Sequence, residues 1–286
     1  MRICRFNDDR LGVVEGDKVY DVTKALEILP AHRYPLPRFD PMIAHLDALR
    51  KKIAELLPSA PVRALAEMRL LSPVANPGKV IGAPVNYRKH LLEARADVEL
   101  HQQNQVQEIQ RIGLFLKATS SVVGPSESVA IAHPERRNDH EAELTVIIGT
   151  PGRNIARADA YSHVAGYCIG LDMTIRGPEE RSLRKSIDTF TVLGPWLVTA
   201  DEIEDAGNID FSLTVNGEPR QKANTRDLIL SVPELIEFAS RFYTLHPGDV
   251  IMTGTPEGVG RVVPGDIIHT EFSGIGAMTV AVISAS

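Results

Sequence analysis

Short stretches in which apolar and polar residues alternate open the chain and predict a small antiparallel sheet. The expected strands are Arg2 to Phe6, Leu11 to Val14 and Lys18 to Asp21. An amphipathic helix should follow, with Asp40 as its N-cap and Pro41 at its first position. Four prolines between residues 58 and 78 then interrupt the pattern. We therefore expect a small N-terminal domain over residues 1–75.

The rest of the chain, residues 76–286, has a mainly β pattern that predicts a second, larger domain. Runs typical of strands lie at residues 79–82, 114–117, 143–149, 164–172, 196–198, 211–215 and 250–253, with closing strands to Ile283. Asn216-Gly217 is a strong hairpin signal. One helix should begin at Ser231, whose capping box with Glu234 marks its start, and end near Tyr243. The expected fold class is α+β and β-rich.

Residues 88–111 differ from both domains because they are polar, glutamine-rich and helix-favouring. A helix of this kind buries little surface, so it should be a mobile segment that covers something. His90 and Glu93 lie at its start, one helical turn apart, so the carboxylate can orient the imidazole and raise its basicity. From spacing alone, a chance pair on a surface helix is the stronger interpretation.

Composition narrows the class of protein. The 286 residues are 43% hydrophobic, enough for a sizeable core, and the net charge of −6 argues against nucleic-acid binding. The N-terminus lacks the apolar stretch of a signal peptide, and no apolar run approaches the roughly 18 residues that span a bilayer. Cys4 and Cys168 are expected to be buried, reduced thiols. We expect a cytoplasmic protein without a membrane or nucleic-acid partner.

Three carboxylates could form a metal site. Glu141 and Glu143 are two residues apart, so on a strand they share a side, and Asp172 ends a later apolar run. Like charges side by side repel, and a nearby cation relieves them. Carboxylate oxygens suit a hard cation, Mg²⁺ above Mn²⁺ or Ca²⁺. Two surface glutamates on an exposed strand, with an unrelated aspartate, are an equally good interpretation of the spacing.

Cationic side chains lie beside these segments at Lys117, Arg176 and Lys185. A 2-oxo acid carries a carboxylate and develops enolate charge, so it needs such partners. Each of them could equally form a surface salt bridge. The glycine-rich stretch from Gly254 to Gly260 can expose backbone N–H groups to an anion, although such stretches usually only turn the chain.

Taken together, these segments resemble the fumarylacetoacetate hydrolase family. The matching motifs are Asn86-Tyr87-x-x-His90-x-x-Glu93, Phe115-Leu116-Lys117, Glu141-x-Glu143-Leu144, Leu171-Asp172-Met173-Thr174 with Arg176, Lys185-Ser186, Gly194-Pro195, Val215-Asn216-Gly217-Glu218, Pro247-Gly248-Asp249 and Thr253-Gly254-Thr255-Pro256. They cover about residues 76–286, and their order and spacing are too specific for chance.

The resemblance implies a mixed β-sandwich roll, usually a homodimer, with residues 76–286 as the catalytic domain. It assigns Glu141, Glu143 and Asp172 as Mg²⁺ ligands, and His90 with Glu93 as a catalytic dyad on a mobile lid. By the same resemblance, Lys185 lies near the reacting carbonyl and Thr255 binds a substrate oxygen. Many members have Arg-Asp-x-Gln after the metal aspartate, whereas this chain has Arg176-Gly177-Pro178-Glu179.

The function expected is hydrolysis of a C–C bond in a 2,4-dioxo acid, an acylpyruvate such as fumarylpyruvate. Lys117 and Arg176 are expected to bind the substrate with Thr255, while Lys185 stabilises the oxyanion. The same metal site could support an isomerase, tautomerase or decarboxylase of a 2-oxo or 2-hydroxydienoic acid. A non-catalytic binding protein on the same fold is a further alternative. The substitution at Glu179 places an acid where the family has an amide that could face the substrate.

Overall fold

A computed structural model describes residues 1–97, 100 and 107–285 of the chain. Its strands are β1 (Arg2–Phe6), β2 (Arg10–Glu15), β3 (Lys18–Asp21), β4 (Val62–Ala64), β5 (Leu70–Leu71), β6 (Val80–Gly82), β7 (Phe115–Lys117), β8 (Val122–Val123), β9 (Val129–Ile131), β10 (Asn138–His140), β11 (Ala142–Ile148), β12 (Val164–Asp172), β13 (Thr174–Ile175), β14 (Thr191–Thr199), β15 (Asp210–Val215), β16 (Glu218–Asn224), β17 (Val250–Met252), β18 (Gly260–Arg261), β19 (Ile267–Phe272) and β20 (Gly276–Ser284). Its α-helices are α1 (Pro41–Ala44), α2 (Leu46–Leu56), α3 (Arg88–Ala96), α4 (Ile109–Ile112), α5 (Arg181–Lys185) and α6 (Val232–Phe242). The predicted β-rich α+β class is confirmed.

One large mixed sheet forms the centre of the molecule. Its strands follow the order β4-β3-β2-β1-β14-β12-β11-β17-β6-β7, with β5 added beside β1 and β8 beside β14. Along β11, Val146 belongs to one apolar cluster and Ile147 to the other, because successive side chains point to opposite faces. Both faces of the central strands are therefore buried.

Different elements cover the two faces of this sheet. On one side, α2 packs Leu49 and Ile53 into the apolar cluster that also contains Cys168. On the other side lie α6 and the five-stranded sheet of β16-β15-β19-β20-β9, which contributes Phe211 and Phe272. Their rings stack with centroids 4.3 Å apart. The result is a layered β-sandwich whose central strands end at the candidate site.

Turn and cap signals are borne out. Val215 pairs with Glu218 across a two-residue turn, and both Asn216 and Gly217 have positive φ, as a tight hairpin requires. The capping box of Ser231 and Glu234 starts α6. Asp40 also caps the first helix as predicted, accepting a hydrogen bond from the Ile43 N–H at 3.1 Å.

Two expectations need more detail. The helix after Asp40 is divided into α1 and α2, because the backbone at His45 leaves helical geometry. The predicted helical segment 88–111 contains α3 and α4, and residues 98, 99 and 101–106 lie outside the described residues.

Among the helices of the described chain, none is long and apolar enough to cross a bilayer. Both cysteines are buried and free, as expected.

The proposed division near residue 75 stays a prediction. The N-terminal strands belong to the same sheet as the rest of the chain, because β1 pairs with β14, placing Arg2 opposite Val198. Strand β14 in turn pairs with β12, which ends at Asp172. The first residues thus extend the sheet that holds the candidate site.

Candidate active site

Three carboxylates meet where two central strands lie side by side. Glu141 joins β10 to β11, Glu143 is the second residue of β11, and Asp172 ends β12. The antiparallel register places Ala142 opposite Leu171, so the start of β11 lies beside the end of β12. One oxygen from each carboxylate lies within 4.8 Å of the others, and all three side chains are buried. The arrangement has the donor type and spacing of a hard-cation site.

Three cationic side chains surround this cluster. The Lys185 ammonium donates to Glu141 Oε2 at 2.7 Å and to Asp172 Oδ2 at 2.6 Å. Arg176 donates through Nη2 to Glu141 Oε1 at 2.8 Å. Lys117 hydrogen-bonds Asp172 Oδ1 and the Phe190 carbonyl, from a fully buried position. These hydrogen bonds hold the side chains of Glu141 and Asp172 in defined orientations, which the sequence pattern could not predict.

Glu141 and Glu143 have opposite electrostatic environments. Burial opposes the ionisation of Glu141, but Lys185 and Arg176 outweigh burial and hold its pKa well below the ordinary value. At Glu143, burial raises the pKa well above the ordinary value, and the charges of Asp172 and Glu141 add to this effect. One cation, bound by all three carboxylates, would stabilise the charged form of Glu143.

The hydrogen bonding of Glu143 fits a metal ligand. Its Oε2 accepts from the Gly254 N–H at 2.7 Å, and no other described residue donates to this carboxylate. A buried carboxylate with one oxygen left for another partner is the geometry that a divalent cation requires. The residues present therefore fit the metal that the sequence led us to expect.

An imidazole lines the same cavity as the three carboxylates. His90, on α3, is buried, and its Nδ1 lies 2.8 Å from Glu93 Oε2. An ionised carboxylate only accepts, so Nδ1 carries the proton and Nε2 is left with a lone pair. Glu93 Oε1 accepts from the Gly258 N–H at 2.9 Å, which connects α3 to the glycine-rich loop. If His90 took up a second proton, its positive charge would be close enough to Glu141 to lower the pKa of that carboxyl group.

The glycine-rich loop presents Thr255, which is buried and lines the cavity. Gln221 Nε2 donates to Thr255 Oγ1 at 2.8 Å, so the hydroxyl proton is free to donate elsewhere. Gln221 also accepts from the Ala142 N–H at 3.0 Å, tying the loop to the start of β11. Sequence reasoning missed Gln221, since no local pattern marks a side chain that bridges β16 to this loop.

The cavity has a volume of about 120 Å³ and brings most of the predicted residues together. Its lining includes His90, Glu141, Glu143, Asp172, Arg176, Lys185 and Thr255. Lys117 is not among the lining residues, because its ammonium lies behind Asp172. Two further lining residues, Arg181 and Arg184, were not among the site residues predicted from the sequence. The sequence feature that could have identified them is their helical spacing relative to Lys185, which places all three residues on one short helix.

Glu179 does not line the cavity. Its two oxygens accept from Arg136, Oε1 from Nη1 at 3.0 Å and Oε2 from Nη2 at 2.7 Å. This pair lowers the pKa of Glu179 and keeps the carboxylate ionised. The sequence left open whether Glu179 faces the substrate, and in this structure Arg136 holds its side chain away from the cavity.

The fold and this site define an enzyme class that the sequence profiles also recognise. The profile described as fumarylacetoacetate (FAA) hydrolase, C-terminal, matches residues 79–283. The chain belongs to the fumarylacetoacetate hydrolase family.

Particular relatives refine this membership. The chain is 60% identical to a maleylpyruvate hydrolase of Aquipseudomonas alcaligenes over 286 residues, which cover 99% of this chain and 100% of the relative. It is 38% identical to a mitochondrial oxaloacetate tautomerase of Xenopus laevis, across 76% of this chain and 69% of that protein. A crystal structure of maleylpyruvate hydrolase from Sphingobium sp. SYK-6, in complex with manganese(II) and pyruvate, aligns with a TM-score of 0.85 and 41% identity over the whole of both chains.

Proposed function

We propose that this protein is a divalent-metal-dependent hydrolase that cleaves a C–C bond in an acylpyruvate, a 2,4-dioxo acid. One observation carries the proposal: His90, oriented by Glu93 at 2.8 Å, lines the same cavity as the three-carboxylate cluster. A base that can activate water is what a hydrolase needs, and it is not needed for binding alone. Similarity to two maleylpyruvate hydrolases supports the same reaction.

The metal would be held by Glu141, Glu143 and Asp172. When bound, a divalent cation supplies Lewis-acid polarisation of the 2-oxo group and a fixed position for the adjacent carboxylate, worth several kcal/mol. The all-oxygen donor set favours Mg²⁺ or Mn²⁺ over softer cations. The Sphingobium enzyme was solved with manganese, so both ions should be tested on this chain.

His90 would act as the general base. Because Glu93 holds the proton on Nδ1, Nε2 can take a proton from a water molecule beside the substrate. The resulting hydroxide adds to the C4 carbonyl carbon of the acylpyruvate. A general base of this kind contributes about 10²–10⁴-fold to the rate.

Breakdown of the adduct completes the reaction. The C3–C4 bond breaks, its electron pair passes to C3, and C4 leaves as a carboxylic acid that contains the oxygen from water. His90 then returns its proton to C3, which gives pyruvate and restores the neutral imidazole. The reaction therefore consumes one water and needs no redox partner.

Neighbouring side chains would position the groups that react. Thr255 can donate its free hydroxyl proton to a substrate oxygen, since Gln221 occupies its acceptor side. Lys185 has three N–H groups, and Glu141, Asp172 and the Thr174 hydroxyl accept from all of them. We infer that Lys185 acts on the oxyanion through its charge rather than by a direct hydrogen bond. Lys117 and Arg176 would hold Asp172 and Glu141 in place.

Tautomerisation of a 2-oxo acid is the second candidate. It is supported by the oxaloacetate tautomerases that are 35–38% identical to this chain. A tautomerase moves a proton between carbon and oxygen and requires no attacking water. The two reactions are therefore distinguished by the fate of solvent oxygen.

Isotope labelling tests this difference directly. The metal-loaded protein is given an acylpyruvate in H₂¹⁸O, and the products are analysed by mass spectrometry at early times. We expect pyruvate together with a carboxylic acid that carries one solvent oxygen from the attack. Turnover without C–C cleavage would refute the hydrolase proposal and favour the tautomerase.

The expected homodimer and cytoplasmic location stay predictions.

A further inference from the structure

The short helix α5 places three basic residues near the cavity. Arg181, Arg184 and Lys185 have the three- and four-residue spacing that brings side chains to one side of a helix. All three line the cavity. Lys185 is committed to the carboxylate cluster. The other two have a different environment.

Arg181 has no ion-pair partner among the described residues. Its guanidinium carbon lies 5.8 Å from the centroid of the Phe115 ring, a cation–π contact that holds the side chain without neutralising it. The adjacent carboxylate of Glu180 is already used as the cap of α5, accepting from the Ser182 N–H at 2.8 Å. Arg181 therefore brings a partly buried guanidinium whose N–H groups have no carboxylate acceptor among the described residues, although Glu180, Glu141 and Asp172 act on its charge from a distance.

Arg184 is held at one edge only. Its Nε donates to the Glu179 carbonyl at 2.8 Å, while the Glu179 carboxylate is bound by Arg136. The two terminal nitrogens of Arg184 have no hydrogen-bond acceptor in the described part of the chain. Burial lowers the pKa of Arg184, and the nearby charges of Arg176 and Arg181 lower it further. Burial and like-charge repulsion therefore disfavour the charged form of Arg184, and a bound anion would offset both effects.

We propose that Arg181 and Arg184 bind the second carboxylate of a dicarboxylic acylpyruvate, at the end of the substrate remote from the metal-binding carboxylates. The proposal rests on the proposed function, since it assigns residues to the tail of that substrate. The first carboxylate of the substrate would lie beside the metal when that metal is bound, whereas the unpaired donors of Arg181 and Arg184 suit a second carboxylate. Guanidinium groups bind carboxylates with paired hydrogen bonds.

The dimensions agree with a short diacid. Lys185 Nζ lies 5.3 Å from the same Phe115 centroid that Arg181 approaches at 5.8 Å, so the two cations are at most about 11 Å apart. A seven-carbon diacid has six C–C bonds of roughly 1.5 Å each. That chain, roughly 9 Å along its bonds, together with a hydrogen bond at each end, is long enough to span this upper limit.

Selectivity follows from the cost of leaving these donors unpaired. An acylpyruvate with an apolar tail would place a methyl group beside two guanidinium groups and remove water from them. A site built to bind a polar group rejects an analogue that lacks it, because its buried donors lose their partners. We therefore expect a preference for dicarboxylic over monocarboxylic acylpyruvates.

The test compares fumarylpyruvate, a dicarboxylic substrate, with acetylpyruvate, which has an uncharged tail. In Arg181→Gln, KM for fumarylpyruvate should rise about 10- to 100-fold, the factor for losing a charge-assisted hydrogen bond. Its KM for acetylpyruvate should stay within about twofold, and kcat should change little for either substrate. Arg184→Gln should behave similarly, and Arg181→Lys should retain part of the preference.

An exposed arginine outside the cavity provides the control, and Arg153→Gln should leave both substrates unaffected. An equal rise in KM for both substrates would overturn the proposal, because it would place Arg181 at the shared 2-oxo acid end. Binding of maleate to the metal-loaded protein, measured by calorimetry, gives a readout independent of turnover. Weaker maleate binding by Arg181→Gln supports the carboxylate subsite even if the hydrolase proposal fails, and unchanged binding by both arginine variants overturns it.

Discussion

Glu143 and Glu141 are two residues apart, yet replacing each with glutamine should change stability in opposite directions. Glu143→Gln removes a charge that burial and the carboxylates of Asp172 and Glu141 disfavour. The amide oxygen can still accept from the Gly254 N–H, so the one hydrogen bond of the native side chain is retained. The metal-free variant should therefore be at least as stable as the wild type at pH 8.

The magnitude follows from linkage. Each unit by which the folded pKa is raised corresponds to about 1.4 kcal/mol at a pH above both pKa values. The folded protein keeps a proton on Glu143 that the unfolded chain releases, so metal-free wild-type stability falls as pH rises from the ordinary glutamate value through the folded one. Glu143→Gln lacks this loss, so the two proteins should differ most at high pH.

Glu141→Gln is the matched comparison. Lys185 and Arg176 lower the pKa of Glu141, so its ionised form contributes stability above the ordinary glutamate pKa and loses it as pH falls through the folded value. Neutralising Glu141 leaves both cations short of a partner. Breaking a buried ion pair costs about 3–5 kcal/mol, and the remaining amide contacts should keep the loss near the lower value.

Thermal unfolding with EDTA and with excess Mg²⁺ or Mn²⁺ measures both effects. Wild-type protein should gain about 2.7 kcal/mol at a metal concentration one hundred times Kd, and both variants should lose most of this gain. For a chain of this size the wild-type shift corresponds to roughly 4–5 °C. If Glu143→Gln destabilises the metal-free protein and keeps the full metal-induced shift, Glu143 is not a ligand and the electrostatic reasoning is wrong.

Three further predictions concern the catalytic groups. His90→Ala should lower kcat for acylpyruvate hydrolysis at least about 10²-fold. Any oxaloacetate tautomerase activity should fall much less, and retention of full hydrolysis would exclude His90 as the base. Glu179→Gln should leave KM for acylpyruvates within about twofold, because Glu179 contacts Arg136 outside the cavity; a clear fall in KM would mean that Glu179 faces the substrate in solution. Amide hydrogen exchange in α3 should slow when Mn²⁺ and pyruvate are added together, whereas equal exchange with and without them would argue against closure over the site.

Local patterns predicted much of the fold. The apolar run from Val164 to Asp172 defined β12 at both ends, and Asn216-Gly217 identified a hairpin because few sequences adopt positive φ twice. Such features depend on neighbouring residues alone. The division of the helix at His45 was not predictable in the same way, because helical periodicity continues across it.

The same distinction between local sequence patterns and long-range contacts applies to the candidate site. Motif resemblance selected Glu141, Glu143 and Asp172, and the structure brings them together. The Arg136–Glu179 pair could not be read from the sequence, since the two residues are far apart in the chain and belong to no motif. Nor could the sequence distinguish Arg181 from an exposed arginine, because the difference lies in its surroundings in the folded chain.

Glu93 contacts His90 through one oxygen and the Gly258 N–H through the other. The same carboxylate thus aligns the imidazole and attaches α3 to the glycine-rich loop beside Thr255. Any displacement of α3 that breaks the contact to Gly258 also removes a restraint on the orientation of the imidazole. If α3 opens and closes over the site, closure of the cavity and orientation of the imidazole would be linked equilibria, and a substrate that favours the closed form would favour the aligned base as well. Water that entered an open form would then meet an imidazole with weaker alignment, and reaction would be limited until the substrate is enclosed.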